Sequence, residues 1–200
     1  MPEKFEWIHD TAPGFHAVAR TAGLRVRRVP LMALGPGRWR TPEPPAGIRV
    51  RILEPDDPAL ASAGAVQDLG FANPGTARGR VGPAQRDAAA VEQSILQLDH
   101  LRGRMRAGLS RIGVAEDAGG ALSSGGHQPV GDVSSIVGVA TLPAARRRGL
   151  GSLVTGRLVQ DARELGAELV FLEAEDDAVA RIYGRLGFEV VGTACLATAP

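Results

Sequence analysis

The residues best suited to chemistry gather in Pro143-Ala144-Ala145-Arg146-Arg147-Arg148-Gly149-Leu150-Gly151-Ser152, three arginines followed by two closely spaced glycines. An apolar run over residues 136–142 precedes them and an amphipathic stretch follows, which is the order strand, turn, helix. Pro143 has no N–H for a sheet ladder and ends the strand, while Gly149 and Gly151 let successive backbone N–H groups turn toward one point. That point suits an anion, because a helix start carries unpaired donors and about half an elementary charge of positive dipole. Three phosphate-binding patterns compete for the stretch. A mononucleotide P-loop needs Gly-x-x-x-x-Gly-Lys-Ser/Thr, yet Ser152 follows Gly151 directly with no lysine between them. A dinucleotide fingerprint needs a third glycine where this chain has Val154. What remains is Arg-x-x-Gly-x-Gly, read as Arg146, Gly149 and Gly151.

That pattern resembles the coenzyme A pyrophosphate loop of the GNAT acyltransferase family. A second family signature stands downstream in Ala180-Arg181-Ile182-Tyr183-Gly184-Arg185-Leu186-Gly187-Phe188. The resemblance covers residues 46–200. It implies an α/β fold with a mixed, splayed GNAT-type sheet flanked by helices. It also implies an N-acetyltransferase that moves acetyl from acetyl-CoA to a primary amine by direct attack in a ternary complex. A small amine or amino acid is the first acceptor class, a protein N-terminus or lysine the second, and a catalytically degenerate coenzyme A-binding regulatory module the rival from another class. By the same resemblance the N–H groups of Arg147, Arg148, Gly149, Leu150, Gly151 and Ser152 face the pyrophosphate, with Arg146 or Arg148 adding charge. The backbone of Val139, Ala140 and Thr141 pairs with the pantetheine arm, Tyr183 is both a coenzyme contact and the general acid, and Asp176 stands where many relatives carry an asparagine that touches the coenzyme.

Acetyl transfer needs a held donor, a deprotonated amine, stabilisation of the oxyanion and an acid for the leaving thiolate. Tyr183, the only tyrosine, suits the last task, since a phenol of pKa ~10 is protonated at neutral pH. The base is open. Many relatives place an acidic residue early on the strand before Pro143, where this chain has Ser134-Ser135. The candidates are His127, because imidazoles titrate near ~6.5, Asp132 in the same connection, and Glu173 at the end of the next strand.

These residues need a scaffold, and the composition bounds it. With 44% hydrophobic residues but 4% aromatic, the core of this 200-residue chain must be aliphatic. A net charge of +1 gives no basic excess for nucleic acid or an anionic membrane, so neither is expected as a partner. One cysteine, Cys195, and four scattered histidines build no zinc pattern, and no metal is expected. No run reaches the ~18 apolar residues of a membrane span, and the first residues lack the apolar core of a secretory signal, so a cytoplasmic protein is the expectation.

Taken in order, residues 13–22 read as a helix and 24–34 as a strand-like run; 35–47 is a Pro/Gly linker at which a boundary is placed, dividing an N-terminal segment 1–45 from an acetyltransferase domain 46–200. Ala17-Val18-Ala19-Arg20 recurs as Ala178-Val179-Ala180-Arg181, a weak echo. A strand at 48–53, a helix at 59–69, a glycine-rich loop at 71–82 and one long helix from 84 to 107 follow, then a hairpin over 110–127 and strand 133–142. Helix 150–166, strand 169–172, the helix bearing Tyr183 and strand 188–197 complete the chain. Residues 1–40 are too short for a core of their own. They are expected to dock by strand addition on a sheet edge, with a homodimer as the setting.

Overall fold

The computed structural model describes residues 4–35, 37, 39–40 and 42–199. Eight strands form one sheet: β1 (Lys4–Ile8), β2 (Arg25–Leu34), β3 (Arg49–Ile52), β4 (Arg111–Asp117), β5 (Gly120–Val130), β6 (Val133–Thr141), β7 (Leu169–Glu173) and β8 (Glu189–Thr198). Their spatial order is β1-β8-β2-β7-β6-β5-β4-β3. Every neighbouring pair is antiparallel except β6–β7. Among the described residues six helices flank the sheet: α1 (Phe15–Thr21), α2 (Leu60–Ala72), α3 (Pro83–Val91), α4 (Ile95–Arg106), α5 (Leu150–Glu164) and α6 (Asp177–Gly184).

The aliphatic core lies between the sheet and its helices and includes Leu153, Val154, Leu158 and Ala162 of α5 and Val114, Leu122, Ile136 and Leu172 of the strands. Helices α2 and α5 approach β5 from opposite sides: Gln67 of α2 donates to Ser124 Oγ at 3.1 Å, whereas a Cβ on the next residue, Gly125, would meet Leu158 of α5 at 3.3 Å. The alternation of side chains along a strand sends neighbours to opposite faces.

Two expectations are corrected. The single long helix over 84–107 is two, because Ser94, with an extended backbone at φ −61° and ψ 123°, is the N-cap from which α4 restarts. The N-terminal segment does add strands to the sheet, but not at an edge alone: β2 pairs with both β7 and β8 in the interior, and of its two strands only β1 lies at an edge. Part of the linker, Pro36, Arg38 and Thr41, lies outside the described residues.

The interior position of β2 has a topological cause. The unit β7-α6-β8 brings back a strand parallel to β7 but one place removed, leaving a slot that only an antiparallel strand can fill. The unit β1-α1-β2 has the same form and the same slot, which β8 fills. The two units therefore interlock, and the strands of residues 4–34 pair within their own chain.

Leu34, fully buried at the end of β2, tests this placement. Leu34→Ala should cost about 3 kcal/mol, the usual scale for a buried leucine truncation. Denaturant titration reads it, and an unchanged midpoint would show that β2 is not part of the core.

Candidate functional site

The central strands β6 and β7 pair only at Val133↔Leu169, Ser134↔Val170 and Ser135↔Phe171. Beyond those pairs β6 continues to Thr141 and β7 to Glu173 without meeting. The gap is the wall of a cavity of about 1330 Å³ that runs from the start of α5, past Tyr183, to β1 and β2. A bulge shapes its β6 side: between the pairs Ser124↔Ala140 and Gly126↔Val137, Gly138 and Val139 face the single residue Gly125. Gly138 sits at φ +65° to make it.

At one end the strand passes through a short 3-10 turn, Pro143–Ala145, into α5. Arg147 at φ 66° and Gly149 at φ 75° are both left-handed. Among the described residues the N–H groups of Arg147, Arg148 and Gly149 make no backbone hydrogen bond. With the free donors of the first turn of α5 they form a cradle of N–H groups. A Cβ at Gly149 would meet nothing within 4 Å, and one at Gly151 would lie 3.6 Å from Thr141 Oγ1, so the protein itself leaves space over the cradle. These residues fit a pyrophosphate, and Val139, Ala140, Thr141, Arg147, Leu150, Gly151 and Ser152 all line the cavity.

Two side chains assigned to the donor, those of Arg146 and Asp176, are otherwise engaged, and Arg148 belongs to the cradle through its backbone N–H alone. Arg146 lines the cavity, but its guanidinium donates to the carbonyls of Thr141 at 3.3 Å, Ala77 at 3.3 Å, Gly70 at 3.1 Å and Asn73. Burial pulls it below its ordinary pKa. Its charge serves the carboxyl end of α2 and the following loop. That loop is tied further by Gly79 N to Pro143 O at 3.0 Å, Ala144 N to Val81 O at 2.9 Å and Arg78 Nε to Arg146 O at 3.1 Å. Arg148 and Asp176 are absent from the cavity lining. Asp176 is the N-cap of α6, its Oδ1 accepting from Val179 N at 2.8 Å.

Tyr183 is in the cavity wall, its ring edge-on to Phe188 with centroids 6.0 Å apart. Burial raises its phenol to about 12. Glu173 is also in the wall. Partial desolvation first, then Glu6, hold its carboxyl above the ordinary carboxylate range, against the opposing pull of Arg27.

His127 is not in the wall. It is fully buried on the α5 side of β5, with Nδ1 2.8 Å from Ser134 Oγ and Nε2 2.9 Å from Asp161 Oδ2. Asp161 also accepts from Arg111 Nε at 3.0 Å. Both imidazole nitrogens are committed to this network, which ties β5, β6, β4 and α5 together, so His127 is structural and is corrected as a base. Asp132 holds the turn before β7 by accepting from Glu168 N and Leu169 N through its carbonyl. Sequence reasoning missed Glu6 and Arg27, which line the cavity from β1 and β2; no motif surrounds either, and only the strand register brings them in.

Residues 112–197 match the family described as FR47-like protein. No curated protein matches the chain. Among solved structures, the chain is similar to a GCN5-related N-acetyltransferase from Kribbella flavida at 27% identity and TM-score 0.67, covering 98% of this chain and 68% of that one. A GCN5-related N-acetyltransferase from Sphaerobacter thermophilus matches at 21% identity and TM-score 0.63, covering 98% of this chain and 59% of that one. An aminoglycoside acetyltransferase from an uncultured soil metagenomic sample shares the fold at 17% identity and TM-score 0.52, covering 70% of this chain and 90% of that one. The chain thus spans 59% to 68% of the length of the first two.

The buried network gives a pH test. Burial pushes the Asp161 carboxyl up, but the hydrogen bonds from His127 and Arg111 outweigh it and hold it at about 2, below the ordinary 3.8. A depressed carboxyl stabilises the fold above its unfolded pKa and loses that contribution as pH falls through the folded one, here about 2 kcal/mol lost between pH ~4 and pH ~2. Asp161→Asn should be less stable at neutral pH and should lack this part of the acid transition; parallel acid-unfolding curves for both proteins would contradict it.

Proposed function

We propose that this chain, which has the fold of the GCN5-related N-acetyltransferases and an FR47-like segment over residues 112–197, is an N-acetyltransferase that moves acetyl from acetyl-CoA to a primary amine by direct attack. One observation carries the reading: a single cavity joins a helix-start anion cradle, a strand edge left unpaired by β7, a protonated phenol and a carboxylate of raised pKa. Coenzyme A supplies an acetyl thioester, and the rest is the work of the chain's own groups. The N–H cradle at residues 147–152 holds the pyrophosphate, and the unpaired edge of β6 from Ile136 onward offers peptide groups to the pantetheine amides. Glu173 takes the proton that the attacking amine loses as its nitrogen bonds to the acetyl carbon. Tyr183 gives its phenolic proton to the sulfur as the carbon–sulfur bond breaks. With its pKa near 12, the phenol keeps that proton across the neutral range.

A panel of small amines, amino acids and peptide amines, offered with acetyl-CoA and read by free thiol release, tests the reading and separates the small-amine acceptor from a protein amine. Tight coenzyme binding without thiol release would instead favour a coenzyme A-binding module, which Ser135 supports by standing in the cavity wall where a carboxylate on β6 would serve.

Gly151→Val should keep the melting temperature, since a Cβ there is in ordinary contact with Thr141 and Val139, yet remove acetyl-CoA binding by filling the cradle. Calorimetry decides it, and unchanged affinity would sink the pyrophosphate assignment. Tyr183→Phe should lower kcat by roughly 10²-fold with little change in coenzyme affinity. In the wild type the acid limb of the pH–rate profile should lie above the ordinary carboxylate range, because Glu173 must be deprotonated. Glu173→Gln should remove that limb; a limb that persists would assign the base elsewhere.

A further inference from the structure

Away from the anion cradle the cavity has an apolar stretch on the side of the sheet that α2 approaches. Side chains alternate along β6: Ser134 and Ile136 are buried, Ser134 against His127 on the α5 side, so Val133, Ser135 and Val137 face the α2 side. The same alternation buries Val170 and Leu172 of β7 and turns Phe171 and Glu173 the other way. The pair Ser135↔Phe171, the last before the strands part, sets Phe171 on the face of Ser135 at the closed end of the gap. Val133, Ser135, Val137, Phe171 and Glu173 all line the cavity.

Phe71, in the last turn of α2, also lines the cavity and is 58% exposed. A single exposed phenylalanine is ordinary on a protein surface. This one is held in place. Arg146 donates to the carbonyls of Gly70, at 3.1 Å, and Asn73, and Asn73 Nδ2 donates to Leu69 O at 2.9 Å, so the backbone is fixed on both sides of Phe71. With the backbone already ordered, an apolar group that settles on Phe71, Val133, Val137 and Phe171 removes their area from water at little further cost in freedom. The cavity's charges lie on other parts of the chain: Arg146 is engaged by carbonyls, Arg147 belongs to the cradle, Arg181 and Arg185 to α6, and Glu6, Arg27 and Glu175 to β1, β2 and the turn after β7. Glu173 is the exception, two residues beyond Phe171 on the same face and so about 7 Å along the strand.

We infer that Phe71 is a specificity-determining residue and that the acceptor is a primary amine bearing an apolar group the size of a phenyl ring, which lies against Phe71 and the apolar face of β6 and β7 while the amine is presented beside Glu173. This rests on the acyltransferase reading. The reacting nitrogen forms its bond to the acetyl carbon as the carbon–sulfur bond breaks, its proton going to Glu173 and the sulfur receiving one from Tyr183. The apolar group takes no part in these steps. Its contact with Phe71 is therefore equally strong before and during the reaction, and it acts on KM rather than on kcat. Arg146, which reads in the sequence as a ligand of the donor, thereby serves the choice of acceptor.

The test compares 2-phenylethylamine and ethylamine as acceptors for the full chain with acetyl-CoA, by thiol release. The two share the reacting end and differ by the ring. The wild type should prefer 2-phenylethylamine by about tenfold or more in kcat/KM, the scale of a partly buried phenyl group. Phe71→Ala should collapse that ratio chiefly through the KM for 2-phenylethylamine, and Phe71→Leu, which keeps much of the apolar area, should give a ratio between the two. The melting temperature is the folding control, and acetyl-CoA affinity by calorimetry should stay within about threefold of the wild type. Equal use of the two amines by the wild type, a preference that survives Phe71→Ala, or a folded variant whose loss lies in acetyl-CoA affinity instead, overturns the inference and leaves the acyltransferase reading standing. Absence of thiol release across the whole panel of amines overturns both.

Discussion

The site depends on one constraint: two neighbouring parallel strands, β6 and β7, are allowed to pair over three residue pairs and then part. Backbone N–H and C=O groups away from water need partners, so the edge of β6 beyond Ser135 is a row of groups that the protein itself leaves unsatisfied. A ligand with amide groups of its own can complete the row. Because α5 begins a short turn after the same strand, the row leads straight to the anion cradle. One element and its continuation therefore present both the open strand edge and the cradle. The opposite edge of β6 stays paired with β5 on both sides of the bulge at Gly138 and Val139, so the opening costs the sheet few bonds.

Keeping β6 in place across an open gap requires support from α2. A Cβ at Gly70 would lie 2.6 Å from Ala140 Cβ, so only glycine lets the helix come this close to the strand. Arg146 then binds the carbonyl end of α2, the loop after it and Thr141 in one set of hydrogen bonds. A lysine has three donors on a point charge and could not span the same carbonyls in a plane. The arginine that reads in the sequence as a phosphate ligand is thus the residue that holds the cavity's rim to its cradle.

The legible parts of the chain were those whose signal is local. Strand, turn and helix at residues 136–164 follow from an apolar run, a proline and two glycines, and the structure has them at β6, Pro143–Ala145 and α5. Tyr183 stands in a signature and lies in the cavity. The failures were of two kinds. His127 and Asp176 carry the right chemistry, but burial against Asp161 and capping of α6 consume it, and Asp161 lies 34 residues from His127 along the chain. Glu6 and Arg27 carry no local signal at all; they reach the cavity because β1 and β2 pair with β8, some 190 and 170 residues away along the chain.

The interlock of β1-α1-β2 with β7-α6-β8 gives that distant pairing its logic. The pairing of β1 with β8 corresponds to that of β7 with β2, and the β2–β8 contact maps onto itself. The echo of Ala17-Val18-Ala19-Arg20 in Ala178-Val179-Ala180-Arg181 falls on the two equivalent helices, α1 and α6. Carrying the same offset forward sets Ala22 against Tyr183, so the shared form does not include the phenol. At the outer edges the equivalence ends as well, for β7 meets β6 while β1 is the last strand of the sheet. One unit therefore faces the parting strand and carries Tyr183. The other, with no such neighbour among the described residues, presents Glu6 and Arg27 across the same cavity. The difference follows from position in the sheet: the unit at the splay sets Tyr183 beside the parted strands, and the other sets Glu6 and Arg27 along the far side of the same cavity.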